Sequence, residues 1–95
     1  MPVKKNQCLI EGQNVHSIQD FYDELARQLP FPAHFGNNLD ALWDVLTTDV
    51  KGPVQIVWNG AGASRSSMGR DFEQAVALLQ LVCKERKDFH LTLRE

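Results

Sequence analysis

Val54–Gln55–Ile56–Val57–Trp58, VQIVW, decides the fold of this chain. Its β-branched and aromatic residues fit a pleated, packed surface. Gly52–Pro53 breaks the chain ahead of it, so the stretch reads as a strand. Helical patterns lie on both sides. Upstream, Leu39, Leu42, Trp43 and Leu46 follow Asn38, a good N-cap, at helical spacing, and this helix is expected to end around Thr48 to Val50. Downstream, Phe72, Ala75, Val76, Leu79, Val82 and Cys83 fall on one face of a long helix that starts near Asp71 and runs to about Lys87. Between strand and long helix, residues 59–69, NGAGASRSSMG, are rich in Gly, Ala and Ser and are expected to form a loop.

Further out, Gln7–Cys8–Leu9–Ile10 is a short apolar run ended by Glu11–Gly12 and reads as a second strand. Ser17 and Asp20 form an S-x-x-D helix start, a variant of the capping box. Ile18, Phe21, Leu25 and Leu29 follow at helical spacing until Pro30 and Pro32 stop the helix. His90–Leu93 is the last strand. The order is strand, helix, helix, strand, helix, strand. Helical crossovers between strands favour a parallel sheet. Three strands are too few to be covered on both faces by three helices. The expected fold class is therefore α/β, two-layer: a three-stranded parallel sheet with helices packed mainly on one face.

The 95 residues suit one domain spanning 1–95. Hydrophobic content of 43% and charged content of 23% are ordinary for a globular chain, and a core of this size leaves little room for a large cofactor cavity. The net charge of −2 argues against a nucleic-acid binder, which usually shows a basic stripe. Cys8 and Cys83 match no zinc spacing and are expected to be reduced and buried. The N-terminus, with Lys4 and Lys5, has no apolar run suited to a signal peptide, and no stretch suits a membrane span, so the cytoplasm is the expected compartment.

Little in the chain points to catalysis. Ser64, Ser66 and Ser67 have no G-x-S-x-G elbow around them and read as flexible loop serines. His16 and His90 read as structural or solvated. A metal site drawn from His34, Asp40 and Asp44 would match no ligand motif. Gly60–Ala61–Gly62 lacks the Lys-Ser/Thr of a P-loop. The expectation is a protein with no catalytic residues, no metal and no cofactor.

Residues 37–46, NNLDALWDVL, carry Asp40 and Asp44 one helical turn apart on one face. Like charges at that spacing cost a helix roughly 0.2–0.5 kcal/mol. From Gln28 through Val50 there is no lysine or arginine, while the same span holds Asp40, Asp44, Asp49, His34, Phe35 and Trp43. An acidic surface with embedded aromatics suits docking onto a basic partner. The plainer alternative is a solvated acidic face above an aromatic core, with Trp43 part of that core.

Residues 34–50, HFGNNLDALWDVLTTDV, resemble the signature segment of the barstar family, the intracellular inhibitors of secreted bacterial ribonucleases. That segment has an aromatic pair followed by G-x-N-L-D-A-L-W-D, matched here by Gly36, Asn38, Leu39, Asp40, Ala41, Leu42, Trp43 and Asp44. Residues 9–25, LIEGQNVHSIQDFYDEL, and the strand at Val54–Trp58 also resemble the family. The resemblance implies the fold expected above and an inhibitor that does no chemistry. Its second helix and preceding loop would plug a ribonuclease site rich in Arg, Lys and His. It places Asp44 in the phosphate position of that site and Asp40 against a neighbouring basic group, with Trp43 and His34 lining the contact. The partner-binding set so implied is His34, Phe35, Gly36, Asn38, Asp40, Trp43, Asp44 and Asp49. His34 stands where the family has a loop tyrosine, and Asp49 where it has a second interface tryptophan. The implied partner is a basic protein, a small secreted or toxin-like ribonuclease, with no nucleic acid or membrane bound directly. The alternative is a barstar-like regulatory or interaction module whose partner is not a nuclease.

Overall fold

The computed structural model describes residues 6–95; Lys4 and Lys5 of the N-terminal reading lie outside the described residues. The elements are β1 (Asn6–Glu11), a 3-10 turn (Gly12–Asn14), α1 (Ile18–Gln28), α2 (Leu39–Asp44) with a π-helical turn (Val45–Asp49), β2 (Val54–Asn59), α3 (Ala61–Met68), α4 (Arg70–Glu85) and β3 (Phe89–Leu93). The sheet order is β1-β2-β3 and both pairings are parallel. Each crossover steps to the next strand in the same direction. Right-handed connections then bring both sets of helices onto one face. The expected α/β architecture is the observed one.

Burial follows from that one-sided covering. Cys8 and Ile10, then Val54, Ile56 and Trp58, then Phe89 face the helices and are buried. In register with them, Gln7 and Leu9, Gln55 and Val57, and His90 and Thr92 share the opposite face. Helix α1 begins at its expected cap: Ser17 Oγ accepts from the Asp20 amide at 3.1 Å, and Asp20 Oδ2 accepts from the His16 amide at 3.0 Å. Gln28 lies along the outer edge of β1. Its side-chain amide accepts from Leu9 N at 2.9 Å and donates to Leu9 O at 2.9 Å, occupying groups that a foreign strand would otherwise use. Among the described residues, no helix is long and apolar enough to cross a membrane.

Four expectations need correction. Residues 59–69 do not form a loop, because Ala61–Met68 is the helix α3. Gly60, at φ 62°, turns the chain sharply out of β2. Ser64 is fully buried. It accepts from Trp58 Nε1 at 3.0 Å and donates to Gly12 O at 2.9 Å, so it is a core group and not a flexible serine. Gly12 is needed at that junction, because a Cβ there would run into the backbone of Gly60. Helix α2 also departs from expectation: its α-helical part ends at Asp44 and the next residues widen into a π turn. Both cysteines are free, but only Cys8 is fully buried and Cys83 is half-buried.

Replacing Ser64 by Ala removes the partner of both the Trp58 indole N–H and the Gly12 carbonyl. The expected loss is about 1–3 kcal/mol in denaturant unfolding, the range for leaving a buried polar group unpaired. A change within experimental error would show that neither bond contributes to stability.

Candidate functional site

The candidate site is built on the loop before α2 and on α2 itself. Asn37 adopts φ 52°, a left-handed conformation that Asn tolerates better than most residues. Asn38 then caps the helix: its Oδ1 accepts from the Ala41 amide at 2.7 Å and its Nδ2 donates to Gly36 O at 3.2 Å. Leu42 is fully buried, while Leu39 and Trp43 are half-buried and pack against the core. Phe35 meets Tyr22 edge-on with ring centroids 5.8 Å apart, and Phe31 at 5.0 Å. Capping and aromatic packing together hold the loop against α1.

The far end of the helix is held by a residue that sequence reading did not single out. Arg86 Nη1 donates to Leu46 O and Val50 O, each at 2.7 Å. Its Nε and Nη2 donate to Asp88 Oδ1 and Oδ2, each at 2.9 Å. The Arg86 side chain is only 14% exposed. A cation on carbonyls at a helix C-terminus satisfies acceptors that have no helical partner and complements the helix dipole. Thr47 Oγ1 also donates to Trp43 O at 2.7 Å, a back-bond of the kind that bends helices.

Five residues make about 1.4 turns of α-helix, so Asp44 and Asp49 would not share a face in a regular one. The wider π turn between them changes that. Pro32, His34, Phe35, Gly36, Ala41, Asp44, Val45 and Asp49 line one shallow cleft of about 190 Å³. The structure thus brings together His34, Phe35, Gly36, Asp44 and Asp49. Asn38, Asp40 and Trp43 do not line the cleft: Asn38 caps the helix beside it, exposed Asp40 lies one turn before Asp44, and Trp43 lies partly beneath the surface.

The carboxylates of Asp40, Asp44 and Asp49 are exposed. The ion pairs among the described residues join Arg27 to Glu24, Arg65 to Glu95 and Arg86 to Asp88, so none neutralises those three aspartates. No group of three or more His, Cys, Asp or Glu among the described residues is placed to hold a metal ion. The thiols are not activated: burial pushes Cys8 up to about 12 and raises Cys83. The side-chain hydrogen bonds from Arg86 hold the Asp88 carboxyl below the usual aspartate range.

Truncating Arg86 to Ala should lower stability by roughly 1.5–3 kcal/mol, the range for hydrogen bonds from a charged group, and should speed amide exchange at residues 45–50. The Asp88 carboxyl has a folded pKa below its unfolded one. Its contribution is present above the unfolded pKa and lost as pH falls through the folded value. Asp88→Asn should therefore flatten the acid limb of a stability–pH curve and leave its alkaline limb unchanged. An unaltered acid limb would remove Asp88 from that role.

A family model described as Barstar (barnase inhibitor) matches residues 6–94. The curated protein named "Putative ribonuclease inhibitor YrdF", from Bacillus subtilis (strain 168), is 34% identical over 82 residues, covering 86% of this chain and 90% of that protein. With its parallel sheet, one-sided helices and capped Asn38–Asp44 segment, this chain belongs to the barstar family.

Proposed function

We propose that this chain is a protein inhibitor of a ribonuclease, with an immunity-type role, and that it acts by seating α2 and the preceding loop in a basic active site. The observation that carries the reading is that Asp44 and Asp49, exposed and without an ion-pair partner among the described residues, stand at one cleft in a span with no lysine or arginine. Such a surface is costly for the free chain and complementary to a cationic cleft. A ribonuclease must hold RNA phosphate with basic groups, and a carboxylate presented on a fixed helix can take the place of that phosphate by accepting charge-assisted hydrogen bonds. Asp44 fills this role and Asp40 meets a second basic group. Asp49 adds negative charge at the cleft wall. His34, Phe35 and Trp43 supply contact area, and Gly36 and Asn38 set the path of the loop. No bond is made or broken, so the chain is an inhibitor and not an enzyme. The partner is a small basic ribonuclease, secreted or toxin-like.

Barnase is the first probe, since the family model is described by it. Calorimetric titration of this chain into barnase, with RNA hydrolysis followed in parallel, should show binding and loss of hydrolysis together. Asp44→Ala should leave thermal stability unchanged or raise it by roughly 0.2–0.5 kcal/mol, because one like-charge pair is removed and Ala favours helix. The same change should weaken binding by roughly 2–5 kcal/mol, much of it from partner cations left without their anion. Barnase–barstar is itself a reference case for such coupling. Association should slow with added salt while dissociation changes less. Full hydrolysis with the inhibitor bound would transfer the reading to a partner that is not a nuclease. An unaltered affinity for Asp44→Ala would remove the proposed role of that residue.

A further inference from the structure

We infer that β3 is a homodimerisation edge: two copies of this chain join through antiparallel β3 strands about a twofold axis at Leu91. The inference is independent of the ribonuclease reading and uses none of the residues lining the α2 cleft.

Both edges of the sheet present backbone groups, but they are treated differently. At β1 the Gln28 amide occupies Leu9. At β3 the inner partners are even-numbered residues: Arg94 N donates to Trp58 O, Ala61 N donates to Arg94 O, and Val54 N donates to Asp88 O. In a parallel ladder alternate residues point their amide and carbonyl to opposite sides. Phe89, Leu91 and Leu93 therefore direct theirs outward, and no strand among the described residues pairs with them. Beside this edge, between α4 and β3, lies an apolar groove of about 700 Å³. Leu81 and Leu93 on its walls are 53% and 37% exposed. An apolar edge strand of this kind is a template for another strand.

The sequence of the edge specifies what that strand is. Strand β3 with its flanks, the turn residues Lys87 and Asp88 before it and Arg94 and Glu95 after it, reads KDFHLTLRE over residues 87–95. Paired antiparallel with a second copy about Leu91, Lys87 meets Glu95, Asp88 meets Arg94, Phe89 meets Leu93 and His90 meets Thr92. Asp88 keeps the Arg86 of its own copy and lies against Arg94 of the other, Lys87 and Glu95 are of opposite sign, and every apolar residue faces an apolar one. In the same register Phe89, Leu91 and Leu93 are opposite one another, so their outward amides and carbonyls are mutually satisfied. Neighbouring registers fail. Centring on Thr92 sets His90 against Arg94 and Phe89 against Glu95, and centring on His90 sets Arg86 against Arg94. A six-stranded sheet results, and the two grooves close on each other over Leu81, Leu91 and Leu93. Arg65 lies 3.2 Å from Glu95 within one copy, but both side chains are more than half exposed, so Glu95 can exchange partners at little cost.

Sedimentation equilibrium from micromolar to millimolar protein should show a monomer–dimer equilibrium. Lys87→Glu sets like charges opposite each other twice per dimer and should weaken the dimer roughly three- to tenfold. The double variant Lys87→Glu/Glu95→Lys restores opposite charges and should recover it. Leu81→Glu should weaken it as well. Thermal unfolding checks that these surface variants fold as the parent does. Amide exchange at Phe89, Leu91 and Leu93 should slow as concentration rises. A monomer at every concentration overturns the inference, as does a dimer indifferent to both single variants. Exchange that stays fast at these amides in the dimer also overturns it, by placing the contact elsewhere.

Discussion

The packing around Trp58 holds the rest of the structure in place. Its ring is fully buried, stacked on Phe21 of α1 with centroids 5.2 Å apart and tilted against Phe72 of α4 at 5.0 Å. Its indole N–H ends on Ser64 of α3, which passes the hydrogen bond on to the carbonyl of Gly12 at the end of β1. One side chain in the middle strand therefore ties three helices and the neighbouring strand together. Polar satisfaction matters here as much as burial, since an unpartnered indole N–H or Gly12 carbonyl would sit in a dry core.

That order extends to the acidic cleft by two routes. From Trp58 an aromatic series runs through Phe21, Tyr22 and Phe35 to Phe31, with neighbouring ring centroids between 5.0 and 5.9 Å apart. It reaches the loop that begins the cleft. From the other side, Arg86 at the end of α4 holds the carbonyls that close the π turn. Asn38 fixes the first turn of α2. Both ends of a very short helix are thus secured by side chains, and none of the ion pairs among the described residues reaches the carboxylates between them. A helix of this length would be marginal by itself. Rigid support with unneutralised charge is the arrangement that binding favours, because little ordering remains to be done when a partner docks.

Much of this was legible in the sequence. Strand composition at Val54–Trp58, caps at Ser17 and Asn38, and the stops at Pro30 and Pro32 carry local physical signals, and the parallel two-layer fold follows from their order. The exposed Asp40–Asp44 pair was legible because it contradicts helix economy. The helix α3 was not, because its Gly, Ala and Ser residues have weak periodicity and its anchor is a hydrogen bond from Ser64 to Gly12, distant in sequence. Arg86 was missed for the same reason: the carbonyls it serves lie 36 and 40 residues away. The π turn lies among that long-range contact and the Thr47 back-bond, and regular helical spacing would have set Asp49 and Asp44 on different faces, so Asp49 joining Asp44 at the cleft was not legible.

The central claim is that the capped, acidic α2 face is the recognition surface. Backbone amide exchange of this chain, free and saturated with barnase, tests it most directly because it maps the contact without altering a residue. The account predicts added protection concentrated at residues 34–49, with the open face of the sheet at Gln55 and His90 unchanged. Protection centred on the open face or on the β3 edge, with residues 34–49 exchanging as in the free chain, would contradict it.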